Sequence, residues 1–360
     1  MADNDDHHMS QADTFTADLL EISASGYAAL AAERLLAAHP QVAARFGADA
    51  VGAWKAAIAQ RIVELATALR LGEPALFRAR VNWARRAFGA REVPEGDLRA
   101  SLDALAAVLA EELPAAARPG AAALLADAVA QLDIPAEASD ELIDPTTAEG
   151  RLSLAYLAAV LEGDSRKGTT LVLDAVSAGM PVRQAYLEVL VPAQREIGRL
   201  WHAGELGIVE EHVVTYTTER LMTLLAHRAE RATPNGKTVV CAAVAGNAHD
   251  IAVRVLADFF DIAGWRAVHL GASVPAAEMA AAVQYFDADL VVVSAALSVQ
   301  LPKVASAIKA LRRIEERPVR IMVGGLAFSD APDLWRKLGA DGYATDAESA
   351  VVRGNELVAD

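Results

Sequence analysis

Hydrophobic positions follow two different periods along the chain, and the period changes near residue 236. Between 12 and 133 the apolar residues recur at helical spacing in an alanine-rich stretch. Glycine or proline interrupts this pattern four times, at 71–74, 91–97, 113–114 and 118–120. We therefore predict an all-helical N-terminal domain, with a disordered segment before it at 1–11 and a linker after it at 134–144.

A second helical region is predicted over 145–232 from its helix-start and helix-end signals. Asp144 precedes Pro145, a combination typical of an N-cap followed by proline in the first turn. Two further breaks, each containing glycine, lie at 162–168 and 177–181. Four helices joined by short connections favour a helical bundle.

From 236 to 360 the pattern is that of an α/β domain. Five short apolar runs rich in β-branched residues alternate with amphipathic helical segments. The runs lie at 237–245, 266–272, 289–297, 320–325 and 341–345. Nearly continuous apolar strands are typical of a parallel sheet covered by helices on both faces. The predicted fold is a five-stranded, flavodoxin-like sheet, and ligands of such sheets bind at the carboxyl ends of the strands.

Composition narrows the possible functional classes. The 360 residues carry a formal net charge of -15, which disfavours a nucleic-acid-binding surface because such surfaces are basic. No run approaches the roughly 18 apolar residues of a membrane span, and the acidic start lacks the features of a signal peptide. The single cysteine, Cys241, excludes an internal disulfide. We expect a cytoplasmic protein without a nucleic-acid or membrane partner.

The predicted strand ends carry small residues, and the first of them also carries a histidine. The sequences GNAHD, GASVP, SAALS and GGLAF lie at the ends of the first four strands. A dinucleotide fingerprint is missing after the first strand, which disfavours a nicotinamide site. His249 lacks cysteine or histidine partners at zinc spacing, so a metal bound by it would have to bring its other ligands. On its own, such a histidine is more often a capping or packing residue.

The stretch GNAHDIA, with SAALS and VGGLAF downstream, resembles the cobalamin-binding domain, and the four-helix bundle resembles the cap that precedes it in this family. The resemblance implies that His249 is the lower axial ligand of cobalt. It also implies a channel for the detached dimethylbenzimidazole tail of the cofactor. The residues expected on this side of the cofactor are Asn247, His249, Asp250, Ser294, Ser298, Gly324 and Gly325.

Two positions depart from the family pattern. Asn247 stands where the family has an acidic residue, and Ala252 stands where it has glycine. We expect the amide oxygen of Asn247 to accept the Nδ1 proton of His249 and to orient the ring without adding negative charge. The methyl group of Ala252 would lie near the cofactor's tail.

A second motif resembles the signature of B12-dependent photoreceptors. It consists of Trp201, nine further residues, and then Glu211 and His212. The resemblance implies adenosylcobalamin as chromophore, with Trp201 packed on the adenosyl group and Glu211 and His212 hydrogen-bonded to it. After light removes that group, His202 would bind the upper face of cobalt and complete a bis-histidine state. Without the downstream sheet, the same residues would be interpreted as a core tryptophan and an ordinary acidic first turn.

A cluster of arginines lies beside aromatic residues in the N-terminal region. Its members occupy fourteen residues without an acid and are Arg78, Arg80, Arg85, Arg86 and Arg91. Helical spacing places Arg78 and Arg85 on one face and Arg80 beside Trp83. Arginines and aromatic rings suit a flat tetrapyrrole with propionates, and the layout resembles the photocobilins, whose globin-like domain holds biliverdin. A solvated face or a dimer contact would explain the arginines equally well.

Together these expectations describe a light sensor that is not an enzyme, with adenosylcobalamin and biliverdin as chromophores. Light would change a homodimer or another homo-oligomeric contact, which an unknown downstream protein would detect. We expect no DNA-binding reader domain, so the output would differ from that of DNA-binding relatives. Two alternatives stay open: a corrinoid methyl carrier for a methyltransferase, and a signalling scaffold that has lost its ligand.

Overall fold

The computed structural model describes residues 11–134, 142–315 and 317–359. The chain forms two compact units. The first contains the helices before the gap at 135–141 together with Leu297–Pro302 and Leu326–Leu334, and the second contains the remaining residues. The predicted disordered segment 1–11, except Gln11, and most of the predicted linker at 134–144 lie outside the described residues.

The N-terminal unit is helical, as predicted. Its helices are α1 Gln11–Ala38, α2 Pro40–Phe46, α3 Ala50–Leu71, α4 Pro74–Ala90, α5 Glu95–Glu112 and α6 Arg118–Gln131. Prolines occupy the first turns of α2, α4 and α6, where the missing N–H has no helical partner to lose. The break before Pro40 was not predicted. Trp54, 2% exposed, packs edge-on between Phe46 and Phe88 and anchors the core of this unit.

The bundle contains four helical rods, in agreement with the predicted number. They are α7 Ala148–Leu161, α8 Ser165–Ser177, a continuous rod built from α9 Val182–Gln184, the π-helical segment Ala185–Leu190 and α10 Val191–Ala203, and α11 Ile208–Arg228. Pro192, which lacks an N–H, follows the π-helical segment, where the helical hydrogen-bond pattern is already interrupted.

The predicted start of the bundle at Asp144 was wrong. The N-cap of α7 is Thr147, whose hydroxyl oxygen accepts the backbone N–H of Gly150 at 3.0 Å. Asp144 instead closes a turn, because its Oδ1 accepts both the backbone N–H and the hydroxyl of Thr146. A local side-chain hydrogen bond therefore takes the place of the predicted cap.

The C-terminal part contains the predicted five-stranded parallel sheet. Its strands are β1 Thr238–Val244, β2 Arg266–Val274, β3 Leu290–Ser294, β4 Arg320–Gly324 and β5 Gly342–Ala344, in the order β2-β1-β3-β4-β5. The accompanying helices are α12 Ile251–Ile262, α13 Ala276–Phe286, α14 Leu301–Leu311, α15 Leu334–Leu338 and α16 Ala347–Ala359. Ala243 pairs with Ser294, which pairs with Gly324, so the carboxyl ends of β1, β3 and β4 lie side by side.

The bundle and the sheet share one hydrophobic core within the second unit. Tyr186 of the π-helical segment packs against Phe259 of α12, with ring centres 6.1 Å apart. Cys241 lies fully buried in β1, and burial raises the pKa of its thiol. No helix among the described residues is both long and apolar enough to cross a membrane.

Candidate functional site

The loop between β1 and α12 presents His249 to solvent and buries Asn247. Asn247 is 0% exposed, and its Oδ1 accepts the backbone N–H of His249 at 3.1 Å. Its Nδ2 lies 3.4 Å from the carbonyl oxygen of Ser294 at the end of β3. The expectation that Asn247 accepts the Nδ1 proton of the ring was therefore wrong. The amide oxygen of Asn247 fixes the backbone of the loop, and its NH2 group donates to the end of the adjacent strand.

The side chain of His249 meets the chemical requirement for a metal ligand. It is exposed, and among the described residues neither ring nitrogen has a hydrogen-bond partner. A neutral imidazole with a free nitrogen can donate its lone pair to a metal. Asp250 occupies the N-cap position of α12, and Ala252 lies exposed in the first turn. The methyl group of Ala252 is therefore accommodated without a clash inside the protein.

The ends of β3 and β4 form a close backbone contact that only glycine permits. Gly325 has a φ of +98°, and a Cβ there would lie 2.3 Å from the carbonyl oxygen of Ala295 and 3.0 Å from Oγ of Ser294. A Cβ at Gly324 would lie 2.8 Å from the carbonyl oxygen of Ala344. The double glycine is thus required by the protein backbone itself, and it leaves this rim of the sheet without side chains. Ser298 is buried in a short 3-10 turn that belongs to the first unit.

The corner between α10 and α11 carries the tryptophan motif. Gly204, in the left-handed conformation with a φ of +76°, ends α10 two residues after His202. The ring of Trp201 is 42% exposed, and its centre lies 4.8 Å from that of His202. Trp201 is therefore not an ordinary core residue of the bundle, because its half-exposed ring still offers an apolar surface to a ligand.

The first turn of α11 holds the second half of the motif. Gly207 caps the helix, and its backbone N–H donates to Oε2 of Glu210 at 3.1 Å. Nδ1 of His212 lies 2.6 Å from Oε2 of Glu211. Since a carboxylate only accepts, Nδ1 is the donor of this hydrogen bond. The Glu211–His212 pair therefore presents the second ring nitrogen, Nε2, and a carboxylate at the helix start.

Helix α11 connects this motif with the loop that carries His249. Thr223 accepts a hydrogen bond of 2.6 Å from Arg254 of α12, and burial together with the charge of Asp250 raises the pKa of Glu219. Glu219 lies seven residues beyond His212, a distance of about 10 Å along a helix. Helix α11 thus lies beside the start of α12, next to the His249 loop, and it carries the Glu211–His212 pair about 10 Å further along its axis.

Sequence reasoning missed three polar residues next to this motif. Thr215 donates to Oε1 of Glu211 at 2.9 Å, and Gln194 of α10 lies 3.3 Å from the Thr215 hydroxyl. The exposed ring of Tyr216 contacts that of His212, with centres 5.9 Å apart. The spacing of four residues from Glu211 to Thr215 and from His212 to Tyr216 could have indicated two of them. Gln194 gave no comparable signal.

In the N-terminal unit, the arginines predicted to bind a bilin are paired with carboxylates. Arg78 contacts Asp127 of α6 at 3.0 Å. Arg85 contacts Glu95 of α5 at 2.6 Å and also donates to the carbonyl oxygen of Ile134. Trp83 is half-buried beside Arg80, whose guanidinium lies 5.8 Å from its ring centre, as the helical spacing predicted. The acids absent from the local sequence are supplied by neighbouring helices.

Comparisons with known proteins agree with this geometry. Family models for the B12 binding domain match residues 237–352 and 154–226. Dimethylamine corrinoid protein 2 of Methanosarcina mazei is 30% identical over 175 residues, which are 47% of this chain and 79% of that protein. The HTH-type transcriptional repressor CarH of Myxococcus xanthus is 28% identical over 156 residues, 43% of this chain and 52% of the repressor. The solved monomethylamine corrinoid protein of Methanosarcina barkeri superposes with a TM-score of 0.52 at 20% identity, covering 58% of this chain and all (100%) of that structure, and so shares its fold.

Proposed function

We propose that this chain, which belongs to the family of B12-binding corrinoid proteins, is a light sensor whose chromophore is adenosylcobalamin. The observation that carries the proposal is the corner between α10 and α11. There an exposed Trp201 lies against His202, and the Glu211–His212 pair begins the following helix. The order and spacing of these residues resemble the photoreceptor signature.

The residues of the sheet fit the lower side of such a cofactor. His249 would bind the cobalt, since no described residue bonds to its exposed ring nitrogens and its backbone is fixed by Asn247. The rim formed by Ser294, Gly324 and Gly325 would receive the tail, since the two glycines leave this part of the rim without side chains. Cobalamin binding by this chain therefore rests on both the donor atom and the shape of the strand ends.

The residues of the bundle fit the upper side. Adenosylcobalamin supplies a cobalt–carbon bond that visible light cleaves. Trp201 would cover the adenosyl group with its exposed ring, and Glu211 and His212 would hydrogen-bond to its hydroxyls or base. His202 would serve as the protein ligand of the illuminated state. Because His202 and Trp201 share the last turn of α10, ligation by His202 would move that turn and so transmit the signal.

Biliverdin as a second chromophore is supported by chemistry alone. Arg78 and Arg85 supply guanidiniums of the kind that clamp propionates, and Trp83 supplies a half-exposed ring. Each arginine already holds a carboxylate, so propionates would bind by replacing Asp127 and Glu95. This exchange would keep both guanidiniums paired and would release the carboxylates of Asp127 and Glu95 to solvent.

A corrinoid methyl carrier is the second candidate function. It is favoured by the relative from Methanosarcina mazei, which is named a dimethylamine corrinoid protein and of which 79% is covered. Such a carrier would partner a methyltransferase and would use methylcobalamin. It would leave the Trp201 corner and the Glu211–His212 pair without a role.

The decisive experiment compares the two cofactors on the full chain. Apoprotein is reconstituted in darkness with adenosylcobalamin or methylcobalamin, and dissociation constants, absorbance spectra and molecular mass are measured before and after illumination. We expect preference for adenosylcobalamin and a light-induced spectrum that His202→Ala loses and that the exposed-surface control His227→Ala keeps. Equal or greater affinity for methylcobalamin, with no change of mass in light, would instead identify a methyl carrier.

A further inference from the structure

A continuous row of hydrogen-bonded side chains leads from the exposed start of α11 into the core of the bundle. The row consists of His212, Glu211, Thr215, Gln194, Thr218 and Tyr156. It crosses three helices, because Gln194 lies on α10 and Tyr156 on α7. Its outer end is the pair that we place at the cofactor, and its inner end is a tyrosine that is fully buried.

The inner half of the row has a single arrangement of protons. The hydroxyl of Thr218 donates to the carbonyl oxygen of Val214 at 2.9 Å, which uses its only proton. Its two lone pairs then accept from Nε2 of Gln194 and from the hydroxyl of Tyr156, each at 2.7 Å. Burial raises the pKa of Tyr156 to about 12, which keeps this donor protonated. The amide of Gln194 is consequently fixed with its nitrogen inward and its oxygen outward.

The outer half of the row offers a choice. The hydroxyl of Thr215 has one proton and two acceptors, Oε1 of Glu211 at 2.9 Å and Oε1 of Gln194 at 3.3 Å. The hydroxyl serves both acceptors in a three-centre hydrogen bond whose shorter, stronger arm goes to the carboxylate, so Thr215 holds Glu211 while Gln194 holds Thr215. If Thr215 turned towards Gln194, one oxygen of Glu211 would lose its partner. Gln194 therefore limits where the Thr215 hydroxyl can lie, and Thr215 limits where the carboxylate can lie.

We propose that Gln194 is a positioning residue, which through Thr215 sets the orientation of the Glu211 carboxylate towards the upper ligand of the cofactor. This inference rests on the proposed function, because it assigns Gln194 a part in selecting adenosylcobalamin. A carboxylate held at one oxygen by Thr215 and at the other by His212 presents its remaining lone pairs in fixed directions. Fixed acceptors discriminate between ligands that have hydroxyls and ligands that lack them.

The test measures dark dissociation constants of adenosylcobalamin and methylcobalamin for the full chain and for Gln194→Met. Methionine keeps the length of the side chain and removes both hydrogen-bonding groups. We expect the preference for adenosylcobalamin to fall about tenfold. This factor corresponds to roughly one hydrogen bond between the ligand and the Glu211 carboxylate. The matched control is Gln184→Met, which removes a glutamine bonded to Glu149 and Glu188 in the same bundle and should leave the preference unchanged.

A second pair of variants covers the case in which Gln194→Met does not fold. Thr215→Val removes the hydroxyl at nearly constant shape, and Thr215→Ser retains it. We expect the valine variant to lose the preference and the serine variant to recover it. A parent that prefers adenosylcobalamin, together with variants at 194 and 215 that prefer it equally, would overturn the positioning role and leave the proposed function standing.

A measurement on the apoprotein distinguishes failure of the positioning role from failure of the proposed function. A double-mutant cycle of Gln194→Met and Glu211→Gln in the apoprotein, followed by urea unfolding, measures whether the two residues are coupled. We expect coupling. Coupling in a parent that shows no preference for adenosylcobalamin would refute the proposed function alone. Absence of coupling would refute the positioning role whatever the cofactor.

Discussion

The hydroxyl of Tyr186 lies 2.8 Å from Oδ2 of Asp258 and 2.9 Å from the carbonyl oxygen of Met222. Tyr186 belongs to the π-helical segment of the bundle, and Asp258 belongs to α12 of the sheet. The two acceptors compete for one phenolic proton. A protonated Asp258 would resolve the competition, because it could donate to Tyr186 while Tyr186 donates to Met222.

This arrangement predicts how stability depends on pH. Burial raises the pKa of Asp258 above its ordinary value of 3.8, against the opposing effects of Tyr186, Arg254 and His269. A group with a raised folded pKa contributes stability that is fully present below its unfolded pKa and is lost as pH rises through the folded pKa. Asp258→Asn cannot lose a proton. We therefore expect its unfolding free energy, relative to the parent, to increase as pH rises from about 4.

Urea unfolding over a pH series provides the measurement. Other buried carboxylates titrate equally in parent and variant, so the difference between the two isolates Asp258. Asp174→Asn on α8 is the control, because Asp174 is exposed and does not influence Asp258. A difference between Asp258→Asn and the parent that stays constant from pH 4 to neutrality would contradict the prediction.

Asn247 provides a second prediction, because it is buried and uses both ends of its amide. Asn247→Asp restores the acidic residue of the family pattern, yet it would place a carboxylate beside the carbonyl oxygen of Ser294 and remove the donor. We expect the apoprotein to lose about 1 to 3 kcal/mol of unfolding free energy. Asn235→Asp is the control, since Asn235 is exposed and only accepts a backbone N–H from Lys237. Equal stability of the two variants would refute the structural role.

The fold was predictable because its signals are repetitive. Five apolar runs and their intervening helices fixed the sheet, and every predicted strand overlaps an observed one. The predictions that failed concern side chains with more than one possible hydrogen-bond partner. Asp144 bonds to Thr146 instead of capping α7, and Asn247 bonds to a backbone N–H instead of the ring of His249. Such choices depend on short-range geometry that the spacing of residues does not contain.

The sequence pattern singles out the ligand-facing candidates of the site but not the residues that support them. His249, Trp201 and Glu211 stand out because their order resembles a known pattern, and the structure places all three in one compact unit. Gln194 escaped notice because its partners come from α11 and are distant in sequence. Residues that act through tertiary hydrogen bonds carry no periodic signal in a single sequence.

Trp201 gives a prediction that separates ligand binding from folding. Its ring is 42% exposed, so Trp201→Ala removes less packing from the apoprotein than the loss of a fully buried tryptophan would. We expect the apoprotein to stay folded, with a melting temperature lowered by only a few degrees, while affinity for adenosylcobalamin falls by about tenfold or more. Calorimetry and dark titration provide the two measurements. Tyr285→Ala on α13, which also removes an exposed ring, should change neither; a large loss of stability in Trp201→Ala would identify a packing residue instead.

The proposed bilin site predicts a loss of binding with little loss of stability. Arg78→Gln and Arg85→Gln each break an ion pair that is partly exposed, and such pairs contribute about 0 to 1 kcal/mol. We expect the double variant to unfold at nearly the parental urea concentration and to bind biliverdin at least tenfold more weakly by absorbance titration. Arg99→Gln, which breaks a similar pair with Asp133, is the control. Parental affinity in the double variant would exclude these arginines from a bilin site.

His249 supplies the sharpest prediction for the cofactor. Its ring is exposed and has no hydrogen-bond partner among the described residues, so the apoprotein gains nothing from it. His249→Ala should therefore fold with parental stability while its affinity for cobalamin falls about 100-fold or more, since even residues that only support a ligand contribute 10- to 100-fold. The dark absorbance spectrum should lose the features of histidine ligation. His227→Ala, an exposed histidine at the end of α11, should bind with the parental spectrum and affinity. A parental spectrum in His249→Ala would show that another group binds cobalt.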